Sequence, residues 1–89
     1  MKFTRHAKSK ISERGITEAM ILEAISHPTQ TYYDLSTGAT IVFKKLDNRH
    51  LLVAYSKEDG EIKVVTTFIT SDAKRIIGRK LGRACVKIR

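Results

Sequence analysis

The sequence predicts an α+β domain in which an N-terminal helical hairpin packs on a four-stranded antiparallel sheet. The helical hairpin is predicted in the first third, where two capped segments flank a glycine. Beyond Pro28, segments rich in β-branched and aromatic residues alternate with short turn sequences. The 89 residues predict one domain over residues 1–70, followed over residues 71–89 by a basic extension, either a helix or a tail.

Two helices are predicted from their start and stop signals. The first helix runs from about Thr4 to Arg14, with the Thr4 side chain as its cap. Gly15 can adopt the left-handed conformation that ends such a helix. Thr17 is placed to cap the second helix, which stops before Pro28 because the residue preceding a proline avoids helical geometry.

Four strands are predicted, because turn signals divide the rest of the chain into extended segments. The predicted strands are Gln30 to Leu35, Ala39 to Leu46, Arg49 to Lys57 and Glu61 to Thr70. The turns between them are Ser36-Thr37-Gly38, Asp47-Asn48 and Asp59-Gly60. The third strand is apolar on both faces, which predicts a central position. Ser71 to Leu81 is a candidate third helix with Ser71 as its cap, and residues 82–89 are either a last short strand or a basic tail.

Positive charge is concentrated at the two ends of the chain. Residues 1–14 hold five basic and one acidic residue, a net charge of +4. Residues 15–71 hold five basic and seven acidic residues, a net charge of −2, and residues 72–89 hold seven basic and one acidic residue, a net charge of +6. This distribution favours a polyanionic partner such as RNA, although basic ends also serve solubility alone.

The cysteine, the histidines and the lack of long apolar segments indicate which sites and which compartment to expect. The single cysteine, Cys85, excludes an intramolecular disulfide and is typical of a reducing compartment. His6, His27 and His50 lack the spacing of metal ligands, and no glycine-rich phosphate loop is present, so the sequence predicts neither a metal nor a cofactor. The absence of a signal sequence and of a long apolar segment predicts a cytoplasmic protein without a membrane span.

The first helix carries the strongest candidate for a catalytic site. His6, Lys10 and Arg14 are each four residues apart and form one ridge on a helix. An imidazole can transfer protons near neutral pH, and two fixed cations can stabilise a phosphorane. Thr66 on the fourth strand could hold a phosphate oxygen. A locally bonded surface histidine and an arginine that complements the helix dipole are the structural alternatives.

A second set of basic residues predicts contacts with nucleic acid. Arg75, Arg79 and Arg83 recur at helical spacing in the extension, as in a helix that follows a phosphate backbone. The full set of predicted nucleic-acid-binding residues is Arg5, Arg49, Lys74, Arg75, Arg79, Lys80 and Arg83. The alternative for the extension is a solvated tail. Tyr55, on the same strand face as Arg49, is either a core residue or a phenol near a substrate.

The stretch from Arg5 to Thr17 resembles the opening signature of a widespread prokaryotic domain of unknown function. The signature is His-Ala, a basic residue four positions after the histidine, Glu-Arg-Gly-Ile, and a serine or threonine. The resemblance continues through His27-Pro28 to the strand Val64–Phe68 and covers roughly residues 3–70. The family's usual arginine is Lys10 here, which keeps the charge but loses the bidentate fork.

This resemblance implies the fold shared by barnase, RelE-type toxins and related tRNA-cutting toxins. It implies a small metal-independent endoribonuclease, either the toxin of a toxin–antitoxin pair or a relative of one. The positions that carry over are His6, Lys10, Arg14 and Thr66, and the implied partners are RNA and an acidic antitoxin-like protein. Two alternatives remain open: a nucleic-acid-binding module without catalysis, and an interaction module that pairs or dimerises through a sheet edge or its tail.

Overall fold

The computed structural model describes residues 1–76 and 85–87 and shows an α+β fold. The helices are α1 (Arg5–Arg14), α2 (Glu18–Ser26) and α3 (Ala73–Ile76). The strands are β1 (Lys2–Phe3), β2 (Gln30–Asp34), β3 (Thr40–Lys45), β4 (His50–Glu58), β5 (Glu61–Thr70) and β6 (Cys85–Lys87). They form one six-stranded sheet in the order β1-β5-β4-β3-β2-β6.

The prediction of a four-stranded antiparallel sheet is corrected by the two outer strands. The four predicted strands form the centre as an antiparallel meander, as expected from their short turns. β1 adds to one edge in parallel with β5, and β6 adds to the other edge antiparallel to β2. These additions shield the edges of the meander, which would otherwise expose unpaired backbone groups. The sheet is therefore mixed, and part of the predicted extension belongs to it.

The predicted helix signals are confirmed at both helices of the hairpin. The Ala7 N–H donates to the Thr4 hydroxyl at 3.1 Å, and the Met20 N–H donates to the Thr17 hydroxyl at 3.1 Å. Gly15 ends α1 with a φ of 65°, a value that glycine adopts without a steric penalty. The hairpin link is short, and both helices pack on the same core. Within residues 1–76 and 85–87, no helix has the length and apolar character needed to cross a bilayer.

The turns that set the sheet register are also as predicted. Asp59 and Gly60 both have positive φ values, 52° and 78°, which matches the twist of a two-residue hairpin. At the β2–β3 turn, the Ser36 N–H and hydroxyl donate to the Asp34 carboxylate at 2.9 and 2.7 Å. These hydrogen bonds favour the charged carboxylate and hold the pKa of Asp34 below its usual value.

The two faces of the sheet have different roles. The helical face packs against α1 and α2, and its core consists of Ala7, Ile16, Ile21, Ala24, Val42, Leu51, Val53 and Val64. The opposite face, here called the cavity face, buries Tyr32, Ile41, Phe43, Leu52 and Ala54. The alternation predicted for β3 and β4 is confirmed, since neighbouring residues such as Leu51 and Leu52 belong to different faces.

The cap of α3 lies one residue later than predicted, and the helix begins at Ala73. Its cap is Asp72, whose carboxylate accepts a hydrogen bond from the Arg75 N–H at 3.2 Å, and the expected cap, Ser71, precedes it. The Asp72 N–H in turn donates to the Thr70 hydroxyl at 3.1 Å, so the end of β5 fixes the start of α3. The rest of the predicted helix, from residue 77 to Leu81, lies outside the described residues.

Candidate active site

Thr4 joins the start of α1 to β5. The Thr4 N–H donates to the Val64 carbonyl oxygen at 3.0 Å. Its hydroxyl donates to the Val65 carbonyl oxygen at 2.8 Å while it accepts from the Ala7 N–H. One side chain therefore caps α1 and also joins the helix to a strand about 60 residues later in the chain.

Thr4 contacts β5 at a bulge in the sheet. Ala54 pairs with Thr66 and Tyr55 pairs with Val64, so Val65 is an extra residue on β5. Such a bulge changes the direction of the side chains that follow it. Thr66 consequently shares the cavity face with Ala54, although an unbroken register would have placed it elsewhere. α1 and Thr66 are thus positioned by the same few backbone groups.

The four residues predicted as catalytic line one cavity of about 520 Å³. His6, Lys10 and Arg14 supply one wall, and Thr66 lies on the strand next to them. The adjacent ridge of α1, with Ala7 and Ile11, packs into the core of the helical face. Because α1 packs mainly along β5, its polar ridge reaches the cavity face while its apolar ridge stays buried.

The wall of the cavity is positively charged. No carboxylate among the described residues lies within ion-pair distance of Lys10 or Arg14, although five other ion pairs are formed in that part of the chain. The first turn of α1 contains no acidic residue, and cations spaced four residues apart repel each other. Each such pair of like charges lowers the stability of the isolated helix by about 0.2–0.5 kcal/mol. A bound anion would offset that cost.

The floor of the cavity was not predicted from the sequence. It consists of apolar residues from three strands and α3: Ile41, Leu52, Ala54, Phe68 and Ile76. The signal that could have found it is the apolar character of both faces of β4, since only one face is covered by the helical hairpin. Cross-strand register then brings Ala54 opposite Thr66 and Leu52 opposite Phe68. Cations and apolar side chains thus face the same space.

Three other candidates from the sequence lie away from the cavity. Tyr55 packs against the core of the helical face, where burial raises the pKa of its phenol. Of its two predicted roles, the structure therefore supports the core residue. Arg5 is exposed at the start of α1, and Arg49 is exposed in the turn between β3 and β4. Both arginines stay available to a polyanion, but neither lines the cavity.

Most of the predicted basic extension lies outside the described residues. Arg79, Lys80 and Arg83 lie outside the described residues, and so does the side chain of Lys74. Arg75 is exposed on α3, with its Nε 3.7 Å from the Asp72 carboxylate. That ion pair reduces the charge that Arg75 offers to nucleic acid. The neighbouring Ile76 faces the cavity, so this segment also contributes to the site.

The histidines differ in their position relative to the cavity. His6 lines it, whereas His27 is exposed at the end of α2, where its carbonyl oxygen accepts a hydrogen bond from Lys44. His50 pairs with Thr70 and shares the face of Leu52, but it is not among the lining residues. Within residues 1–76 and 85–87, no three His, Cys, Asp or Glu side chains form a group that could hold a metal ion.

Replacement of Thr4 by valine should test its role as anchor. The isosteric change removes both the cap and the bond to Val65, and we expect the free energy of unfolding to fall by about 1–3 kcal/mol. Thr4→Ser keeps the hydroxyl and should stay within about 0.5 kcal/mol of the wild type. Urea denaturation of the two variants measures the difference. Equal stability of Thr4→Val and wild type would show that the hydroxyl does not hold α1 on β5.

One family model matches residues 3–69, and its description is Domain of unknown function (DUF4258). The match extends from β1 through nearly all of β5, so it includes the α1 wall and Thr66. Comparison with curated proteins and with solved structures found no match.

Proposed function

The chain belongs to the DUF4258 family, whose description assigns no activity, and we propose from its cavity that it is a small metal-independent endoribonuclease. The observation that carries the proposal is that His6, Lys10, Arg14 and Thr66 line one cavity. These residues combine a proton-transfer group, two cations and a hydroxyl, which are the groups that cleavage of a phosphodiester requires.

The proposed reaction uses the 2′-hydroxyl of RNA as the nucleophile. The neutral imidazole of His6 accepts the proton of that hydroxyl while the 2′-oxygen forms a bond to the adjacent phosphorus. The bond from phosphorus to the 5′-oxygen then breaks. Lys10 protonates the leaving oxygen, since the guanidinium of Arg14 does not release a proton in proteins. The products are a 2′,3′-cyclic phosphate and a 5′-hydroxyl.

The remaining groups of the site stabilise charge. The phosphorane carries more negative charge on its non-bridging oxygens than the substrate does, so cations aimed at it lower the barrier. Arg14 and Lys10 have no carboxylate partner among the described residues and can interact with these oxygens without breaking an ion pair. The Thr66 hydroxyl can donate one further hydrogen bond.

The resemblance of the opening signature supports the same proposal at the level of family. We propose that the chain is related to the barnase and RelE-type ribonucleases, as a toxin or a relative of one that acts on RNA and is inhibited by an acidic antitoxin-like protein. A cationic wall on an N-terminal helix, set against an antiparallel meander, is compatible with this relation. The net charge of +8 favours both partners.

The proposal is tested by incubating the purified full-length chain with single-stranded RNA in excess EDTA. We expect cleavage to 2′,3′-cyclic phosphate ends and no cleavage of DNA of the same sequence, which lacks the nucleophile. Arg14→Gln should lower the rate about 100- to 1,000-fold through loss of charge stabilisation. Inducible expression of the wild type should slow growth and degrade cellular RNA.

Arg5→Gln is the matched control, because it makes the same chemical change on the same helix outside the cavity. We expect it to weaken RNA binding but to leave the rate of the bound complex nearly unchanged. Intact RNA with the wild type, or equal losses in the two variants, would contradict a nuclease site in this cavity. RNA binding without cleavage would instead favour the non-catalytic binding module.

A further inference from the structure

The floor of the cavity is apolar although its wall is cationic, and we propose that this floor is a subsite for a nucleobase. The site would then hold single-stranded RNA by one phosphate at the wall and one adjoining base on the floor. This inference rests on the proposed function and adds a specificity subsite to it. Phe68 and Ala54 are the residues assigned to base binding.

The composition of the floor argues for a ligand with an apolar face. Phe68 and Ile76 are only half-buried and leave apolar surface open to the cavity, whereas Ile41, Leu52 and Ala54 are nearly closed to water, at 5%, 3% and 8% exposure. Apolar surface that faces a cavity gains about 25 cal/mol for each Å² that a ligand removes from water. A phosphate alone obtains none of this gain. A nucleotide obtains it because its base is planar and largely apolar on both faces.

Phe68 supplies an aromatic ring to the floor of the cavity. It lies on the cavity face of β5, two residues from Thr66 and directly opposite Leu52. Alternate residues of a strand lie about 7 Å apart, so the ring and the Thr66 hydroxyl can contact different parts of one nucleotide. Bases stack on aromatic side chains without a requirement for sequence, which suits a site that reads single-stranded RNA.

Ala54 keeps the floor open. Alanine is depleted in strands, and the flanking residues of β4, Val53 and Tyr55, are of the β-branched and aromatic types that strands favour. A larger side chain at position 54 would project into the cavity, since Ala54 lines it between Ile41 and Thr66. The volume of about 520 Å³ lies within the range of sites that bind small organic groups.

A nucleobase fits the floor better than a peptide segment does. Peptides that bind to sheets usually do so by backbone hydrogen bonds to a free strand edge. β4, at the centre of the floor, is paired on one side with β3 and on the other with β5, so it offers side chains alone. An extended peptide would leave its own backbone groups unsatisfied there, whereas a base carries its polar groups on its rim.

The test compares two non-cleavable ligands of equal charge: a 2′-O-methyl RNA trinucleotide and an abasic oligomer of the same length. We expect the wild type to bind the base-containing ligand about 5- to 100-fold more tightly, as measured by calorimetry. Ala54→Phe fills the floor and should lower that affinity to about the value of the abasic ligand. Phe68→Leu, which keeps an apolar side chain in the core, should lower it at least about fivefold.

Ala19→Phe is the matched control, since Ala19 is exposed on α2 and does not line the cavity. It should bind both ligands as the wild type does. Equal affinities for the two ligands in the wild type would overturn the inference and leave the floor to an apolar side chain of a protein partner. Base-dependent binding without RNA cleavage would refute the nuclease and support the subsite, whereas cleavage without base dependence would do the reverse.

Discussion

His6→Ala should lower the rate of RNA cleavage about 100- to 10,000-fold, the usual range for loss of a general acid or base. The imidazole is the group in the cavity assigned to accept the 2′-hydroxyl proton, and alanine cannot replace it. His6 is exposed on α1 and makes no contribution to the buried core, so the fold should be retained. Alanine also has the higher helix propensity. The measurement is single-turnover cleavage of a defined RNA.

His27→Ala is the control, because it removes an exposed histidine that lies outside the cavity. Its cleavage rate should match the wild type. Free imidazole should restore part of the activity of His6→Ala and none of the activity of Arg14→Gln, since only the first variant lacks a proton acceptor. A His6→Ala protein that cleaves at the wild-type rate would remove His6 from the reaction.

Phe43→Ala should give the largest loss of stability, about 3–5 kcal/mol. The Phe43 side chain is fully buried on the cavity face and packs edge to face against Tyr32, with ring centroids 5.9 Å apart. Its removal leaves a cavity between β2, β3 and β4 and also loses the aromatic pair. A domain of this size usually has about 5–10 kcal/mol of stability, so the variant should be close to unfolding at 37 °C.

Phe43→Leu retains most of the apolar volume and should cost about 1–1.5 kcal/mol. Leu22→Ala on the exposed face of α2 should stay within about 0.5 kcal/mol of the wild type, since Leu22 is 49% exposed. Urea denaturation followed by circular dichroism compares the three. If Phe43→Ala and Leu22→Ala were equally stable, the packing of the cavity face would not contribute to folding.

Local chemistry allowed much of the fold to be predicted. Thr4, Gly15 and Thr17 determine where the hairpin helices begin and end, because caps and left-handed positions depend on neighbouring residues alone. The Asp59-Gly60 turn likewise fixes the register of β4 and β5 as far as the bulge. The ridge of His6, Lys10 and Arg14 follows from helical spacing. These features need no knowledge of distant contacts.

Other features depend on contacts between distant segments and could not be predicted. β1 has only two residues, and its partner on β5 is about 60 positions away, so no local periodicity reveals it. β6 is similarly short and pairs with β2 across most of the chain. The extra residue at Val65 changes which side chains share a face. Ala54 and Phe68 can be recognised as floor residues only when that register is known.

The hydrogen bond from Thr4 to Val65 also constrains the order in which the chain can assemble. The start of α1 lacks this partner until β5 has been synthesised and paired, so the wall of the cavity is completed only after both segments are present. Contacts between such distant segments also slow folding, because a long loop must close before they form. The nuclease proposed above would therefore gain its cationic wall only once residues 4–65 have been synthesised.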